Sequence, residues 1–189
     1  DEYQKIISTT DADGNLTYAF QLAGVNNWAS VQVLPLKLNY EQYVTTRVLV
    51  RPVSGQQPAI FGLYNPSDGS WGTWNSVIEF NNLTVGNYMY AYDHSTGWTT
   101  LRPYEENQWY NIMISHDLWN RTYDVYIDGV LFASDLHMHP MSDPTTFTIV
   151  AGNIGSNTVL YDDVGVSGQN IYKVKFHRSE ERRVGKECI

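Results

Sequence analysis

The sequence predicts an all-β fold, built as a two-sheet antiparallel β-sandwich or jelly roll. The stretch from Gln108 to Phe132 carries most of that expectation. Ile112 and Ile114, then Tyr123, Val125 and Ile127, alternate with mostly polar neighbours, the period-two pattern of a half-buried strand. Asp128-Gly129 then offers a tight hairpin, because the two central residues of such a turn need positive φ. The second observation is punctuation: short strand-like runs recur between turn signals, and no long stretch has helical periodicity.

Taken in order, the turn signal Asp13-Gly14-Asn15 is followed by a first run, Thr17–Leu22. Asn26-Asn27 separates it from Trp28–Leu34, and Val44–Arg51 leads to the turn at Ser54-Gly55. Ala59–Tyr64 ends at Asn65-Pro66-Ser67-Asp68-Gly69, after which come Trp74–Phe80 and Asn87–Asp93. Ser95-Thr96-Gly97 turns the chain into Trp98–Leu101. Trp109–His116, Thr122–Ile127 and Val130–Ser134 make up the stretch described above. Thr145–Val150, the turn Gly152-Asn153, Thr158–Val166 and Ile171–Phe176 complete the series. Residues 17–177 are expected to form the sandwich, with residues 1–16 as an N-terminal arm or edge strand. Within that segment Asp1–Thr10 has three readings: a free arm, an edge strand, or a strand given to a neighbour, the last making a homo-oligomer.

The last residues stand apart. Arg178 to Cys188 match, residue for residue, the in-frame translation of a common sequencing adapter, so 178–189 are expected to be a non-native tail. Of the net charge of −8, this tail contributes +1 (four cationic and three anionic residues), leaving −9 on the body. An acidic body of one-domain size disfavours nucleic acid and anionic lipid as partners and suits cations or neutral polymers. Cys188 lies in the tail, so the body has no thiol chemistry and no disulfide framework. No apolar run approaches the ~20 residues that span a bilayer. The chain starts at Asp1 without an apolar leader, as a processed chain would, and it carries Asn-x-Thr triplets at Asn15, Asn82 and Asn120. Sparse charge with plentiful Tyr, Trp, Thr, Asn and Gly suggests a secreted, extracellular protein.

Trp109-Tyr110, the run Tyr123-Asp124-Val125-Tyr126-Ile127-Asp128-Gly129 and the late Tyr161-Asp162-Asp163-Val164 occur in an order that resembles the laminin-G-like, concanavalin A-like sandwiches. The resemblance covers residues 17 to 167 and implies fold more strongly than activity, since this fold hosts lectins, adhesion modules, polysaccharide-cleaving enzymes and spacers. It also implies a structural calcium where the N-terminal loop meets the "D-D-V" strand. Asp11 and Asp13, spaced like the start of a calcium loop, would meet Asp162 or Asp163 there. The alternative reading is a local Asx turn at Asp11 and a hydrated strand edge at the aspartate pair.

For ligand binding the aromatics are the stronger signal. Tyr88, Tyr90 and Tyr92 share one face of a strand, and Trp71 and Trp98 lie in neighbouring turns. Such a plane stacks on the apolar face of a sugar ring while Asn and Asp take its hydroxyls. Trp119, also in a turn, is a further candidate for an exposed contact, whereas Trp28, Trp74 and Trp109 are expected to fill the core. His137-x-His139 is a weak transition-metal signal, and His116-Asp117 reads as a turn. Glu79 is the one glutamate inside a well-formed strand and the sole catalytic candidate, with Glu105 or Asp93 as a partner across a cleft. The leading expectation is a non-catalytic module, calcium-stabilised, that recognises a glycan or cell-surface polymer. The alternatives are a filament or surface-layer subunit assembling through its arm, and a polysaccharide-cleaving enzyme of the same fold.

Overall fold

The computed structural model describes residues 4–25, 29–36, 43–66, 74–82, 86–140, 143–152, 154–167 and 172–173. Its strands are β1 (Gln4–Thr10), β2 (Leu16–Val25), β3 (Ala29–Pro35), β4 (Tyr43–Ser54), β5 (Ala59–Tyr64), β6 (Ile78–Asn81) and β7 (Tyr88–Asp93). The second half contains β8 (Gly97–Pro103), β9 (Tyr110–Asp117), β10 (Thr122–Ile127), β11 (Val130–His137), β12 (Thr146–Ala151), β13 (Ser156–Ser167) and β14 (Tyr172–Lys173). All pair antiparallel. One sheet runs β1-β2-β13-β4-β9-β10-β11, with β14 also on β13, and the other runs β3-β12-β5-β6-β7-β8. Residue-by-residue alternation builds the interior. β9 buries Tyr110, Ile112, Ile114 and His116, and β10 buries Tyr123, Val125 and Ile127. These meet Phe61, Ile78, Phe80, Met89, Phe147 and Ile149 from the smaller sheet in one continuous hydrophobic core. At Asp128-Gly129 the hairpin closes with φ of 53° and 82°, the left-handed pair that such a turn requires.

Among the described residues, polar bonds from Tyr123, Tyr161 and His116 cross this core and tie the sheets together. The Tyr123 hydroxyl donates to the Tyr92 carbonyl at 2.7 Å, and the Tyr161 hydroxyl donates to the Val150 carbonyl at 2.9 Å. His116 is fully buried rather than part of a turn, since it continues the inward series of β9. Its Nδ1 lies 3.1 Å from the Val44 carbonyl, which can only accept, so Nδ1 carries the proton. Nε2 then accepts from the Ser76 hydroxyl at 2.8 Å. Burial holds this imidazole down to about 4, neutral at physiological pH.

Ser76 belongs to a bulged extension of β6. The amides of Asn75 and Ser76 both donate to the Leu63 carbonyl, at 2.8 and 3.4 Å, two residues opposing one. The bulge presses on Gly62, where an added Cβ would lie 2.0 Å from the Ser76 carbonyl oxygen. Because that obstacle is backbone, Gly62→Ala is expected to cost about 3 kcal/mol in chemical denaturation, the upper part of the overpacking range. A loss below about 0.5 kcal/mol would show that the bulge yields freely.

The N-terminal segment, which has no legible pattern, is from Gln4 onward an edge strand paired with β2 over seven residues, Gln4↔Leu22 to Thr10↔Leu16. Trp109 is not a core residue. Parity turns it away from Tyr110, and its Nε1 donates to the Thr10 carbonyl at 2.7 Å, fastening the end of β1. At the opposite edge β11 exposes Val130, Leu131 and Phe132. Two register shifts against β10, and a φ of 55° at Asp135, break its regularity. Such irregularity makes an edge a poor template for another strand.

Candidate functional site

The outward face of the smaller sheet gathers the aromatic residues singled out from the sequence. In β7, Met89 and Ala91 point into the core, so Tyr88, Tyr90 and Tyr92 point out. Register places Trp98 of β8 beside Tyr92 and Thr100 beside Tyr90. Tyr88 and Tyr90 have ring centroids 6.3 Å apart, and Trp98 meets Tyr90 edge-on at 6.4 Å and Tyr92 at 5.0 Å. The strip continues through His94, 4.8 Å from Tyr92, to His139, 5.0 Å from His94. Trp98 is 48% exposed, whereas its tyrosine neighbours are half-buried. Edge-on contacts hold the rings at fixed angles and leave faces open. Beside the strip, Ile60, Trp74, Val77 and Val150 form a small second hydrophobic cluster, with Tyr64 and Tyr92 against it. Trp74 is thus buried as expected, but on this outer side. Trp71 and Trp28 lie outside the described residues. Trp119 is 70% exposed at the tip of the β9–β10 turn, held there by Asp117, whose Oδ1 accepts from the Trp119 and Asn120 amides.

Glu79 shares the outward face. Ile78 and Phe80 enter the core on either side of it, and Tyr90 and Ile60 are its partners on β7 and β5. Its residue is only 4% exposed. Gln57 Nε2 donates to Oε1 at 2.8 Å, and Asn81 Nδ2 donates to the same oxygen. Burial pushes the carboxyl above its usual range, and the two amide bonds oppose that rise. Gln57 is itself fixed, its amide donating to Asn157 Oδ1 at 2.9 Å while Gly152 packs against it. Asn81 was legible, two residues from Glu79 on the same strand; Gln57 lies in an irregular turn, where no periodicity marks it.

Neither carboxylate suggested as a partner faces Glu79. Asp93 continues the inward series of β7, the opposite face, where the Ser95 amide and hydroxyl both donate to its Oδ1 at 2.7 Å. Burial works to raise its carboxyl, but these bonds and His137 outweigh it and hold it at about 2. Glu105 is exposed beyond β8, its amide donating to the Tyr110 hydroxyl at 2.7 Å. His137 and His139 also part company: the first sits 3.3 Å from Asp93, the second against His94.

Three of the four aspartates proposed for calcium, Asp11, Asp162 and Asp163, serve local bonds through their carboxylates. Asp11 Oδ1 accepts from the amides of Asp13 at 2.9 Å and Asn15 at 2.8 Å, an Asx turn closing the β1–β2 hairpin. Backbone and side-chain bonds from Asn15 are the main cause of its lowered carboxyl. Asp163 sits 3.6 Å from Arg47, and Asp162 Oδ1 accepts from the Asp163 amide at 2.7 Å. Burial, then the like charges of Asp163 and Asp11, raise Asp162. Among the described residues no three acidic or histidine side chains converge on one point. The oxygens of Asp11, Asp162 and Asp163 meet amides, the Thr17 hydroxyl and a guanidinium, whereas calcium takes a cage of about six to eight oxygens.

No protein-family model and no curated protein matches the chain. Solved structures do match in shape. A sialidase superposes with a TM-score of 0.61 at 12% identity, over 89% of this chain and 17% of that one. The alginate lyase AlyC3 gives 0.55 at 11%, over 87% and 89%. The catalytic domain of the glycoside hydrolase family 131 protein from Coprinopsis cinerea gives 0.54 at 10%, over 83% and 73%. The chain thus spans about a sixth of the sialidase's length. At such identities the likeness shows the fold alone, a two-sheet antiparallel β-sandwich of jelly-roll type.

Proposed function

We propose that this protein is a non-catalytic carbohydrate-binding module whose binding face is the outward surface of the smaller sheet. The observation that carries the reading is Trp98, half exposed and braced edge-on by Tyr90 and Tyr92 on the strip that begins at Tyr88. Tyr88 and Tyr92 are four residues apart, roughly 13 Å along the strand, longer than one sugar ring. An oligosaccharide would stack successive rings along the strip and exchange hydroxyl bonds with polar groups at its margin. Neighbours of the same fold act on carbohydrate by their names: sialidase, alginate lyase, glycoside hydrolase. Binding is favoured over cleavage because glycoside hydrolysis canonically needs two carboxyl groups across a cleft, and Glu79 has amide partners instead. A secreted setting suits the exposed sequon asparagines Asn15 and Asn120.

Trp98→Ala tests this directly. Calorimetric titration against a panel of neutral and acidic hexasaccharides is expected to show about thirtyfold weaker binding, roughly 2 kcal/mol, as for an aromatic anchor at an interface. The melting temperature should barely move, since the side chain is half in water. Unchanged affinity in Trp98→Ala for every sugar that the wild type binds removes this face from consideration.

A further inference from the structure

We propose that Glu79 serves this face as a hydrogen-bond donor, with Oε2 carrying a proton toward a ring or glycosidic oxygen of an uncharged glycan. The inference rests on the reading of the face as glycan-binding. It begins from an asymmetry in the carboxyl group. Both amide donors, Gln57 Nε2 and Asn81 Nδ2, converge on Oε1, which is therefore the accepting oxygen. Oε2 receives none of the bonds that Glu79 makes with described residues, and, though the residue is 4% exposed, this oxygen is not wholly shut from solvent. A buried ionised carboxylate normally finds a cation or several donors for both oxygens. A neutral acid needs acceptors for one oxygen's hydrogen and donors for the other, and this site supplies only the second half. The missing half is an acceptor, and the face beside Oε2 is where the aromatic strip would hold a sugar. Acetal oxygens of a sugar chain accept and cannot donate, so they match a protonated Oε2 and not a carboxylate.

The surroundings agree. Burial raises the Glu79 carboxyl, and the groups against it are Ile60, Gln57, Asn81 and Tyr90, none of them a cation. Charged partners elsewhere occupy the arginines: Arg47 pairs with Asp163, Arg102 with Asp128, and Arg121 with Asp143. Arg51 donates to Thr9 on the larger sheet. Acidic sugars are typically gripped by forked guanidinium contacts; Arg47, Arg51 and Arg102 lie away from the strip, and Arg121, at its far end, is held between the His139 carbonyl at 3.0 Å and Asp143. An uncharged chain is therefore the class of ligand that this face suits.

The test combines pH-resolved calorimetry with an NMR titration of the Glu79 side-chain carboxyl carbon. The probes are cellohexaose, xylohexaose, mannohexaose, laminarihexaose and hexamannuronate. In the unliganded wild type the carboxyl should titrate above the ordinary glutamate range. Raising the pH from about 4 to about 8 should weaken neutral hexasaccharide binding about tenfold, the worth of one good hydrogen bond. Glu79→Gln keeps both an accepting oxygen and a donor, so it should bind within about threefold of the wild type while losing that pH response. His94, at the end of the strip and lowered chiefly by burial, supplies any residual slope, which Glu79→Gln isolates. Glu79→Met, of similar length and without a donor, should bind about tenfold more weakly, with its melting temperature measured alongside.

A wild-type affinity that is flat or rises with pH, or a carboxyl carbon that titrates in the ordinary range, overturns the donor role. If Trp98→Ala still weakens binding in that case, the glycan-binding face itself stands. Preference for hexamannuronate overturns the uncharged ligand class. No binding to any probe, or no effect of Trp98→Ala, overturns this inference together with the reading beneath it.

Discussion

Phe80→Ala is expected to lower the free energy of unfolding by about 4 kcal/mol, within the range for truncating a core phenylalanine. At this chain length such a loss moves the melting temperature by roughly 10 °C. Phe80 is fully buried and stands where three rings meet, 5.0 Å from Tyr104, 5.9 Å from Tyr110 and 6.2 Å from Phe61. Tyr104 and Tyr110 flank the β8–β9 connection, while Phe61 lies on the neighbouring β5, so no single side chain can swing in to fill the space. Phe80 also follows Glu79 on β6 and faces the other way. The cavity should therefore loosen the strand that presents the carboxyl, and glycan affinity should drop with stability. Urea unfolding, paired with calorimetry well below the melting point, separates the two effects. A stability loss under about 1 kcal/mol would mean that the core collapses into the gap far better than packed interiors do.

Acid should weaken the fold through His116. Its folded-state value is about 4, held down by burial. The unfolded imidazole titrates near the usual 6.5, so below that pH only the unfolded chain takes up the proton. Stability is then intact above about pH 6.5 and falls progressively toward pH 4, by about 3 kcal/mol in all at 1.36 kcal/mol per unit. Glu79 works with the opposite sign: its raised carboxyl stabilises the fold at low pH, and that support fades as pH rises. Asp93, held at about 2, loses its contribution only below the ordinary aspartate range and leaves this window untouched. Urea midpoints across the window should therefore slope downward with acid in the wild type. In His116→Gln, whose amide can span Val44 and Ser76 without titrating, the slope should flatten or reverse. A wild-type profile that is already flat shows that water or a rearranged Ser76 reaches the ring.

The strands were legible wherever one face is buried and the other wet. Thr122–Ile127 and Ala59–Tyr64 coincide with β10 and β5, and the remaining expected runs each overlap a strand. For β1 the edge strand was only one of three readings of its segment, because it has little buried surface and Gln-Lys-Ile-Ile-Ser-Thr-Thr carries no alternation. His116 was misjudged although its parity was on the page: residues 110, 112, 114 and 116 form one inward series. The adjacent aspartate suggested a turn, which begins only after Asp117. The same parity puts Trp109 outside, where size alone had suggested the core. In the site, the shared face of Tyr88, Tyr90 and Tyr92 follows from strand geometry, and so does the placement of Glu79 and Asn81 together. Gln57 does not, since its bond to Glu79 spans a turn and a strand register that only the assembled sheet defines. Grouping the aspartates came from the resemblance and the spacing of Asp11 and Asp13, and sequence does not show which oxygens of Asp11, Asp162 and Asp163 take local bonds.

The hydroxyl that Tyr123 sends across the interior to the Tyr92 carbonyl has a bearing on recognition. It anchors the backbone of Tyr92 to the far wall, so on the glycan-binding reading proposed above that part of the ladder is set before a sugar arrives. On that reading the protein would surrender little freedom on binding, and the entropic toll would fall chiefly on the flexible sugar chain. Stiffer oligomers of the same composition should for that reason be held longer than supple ones.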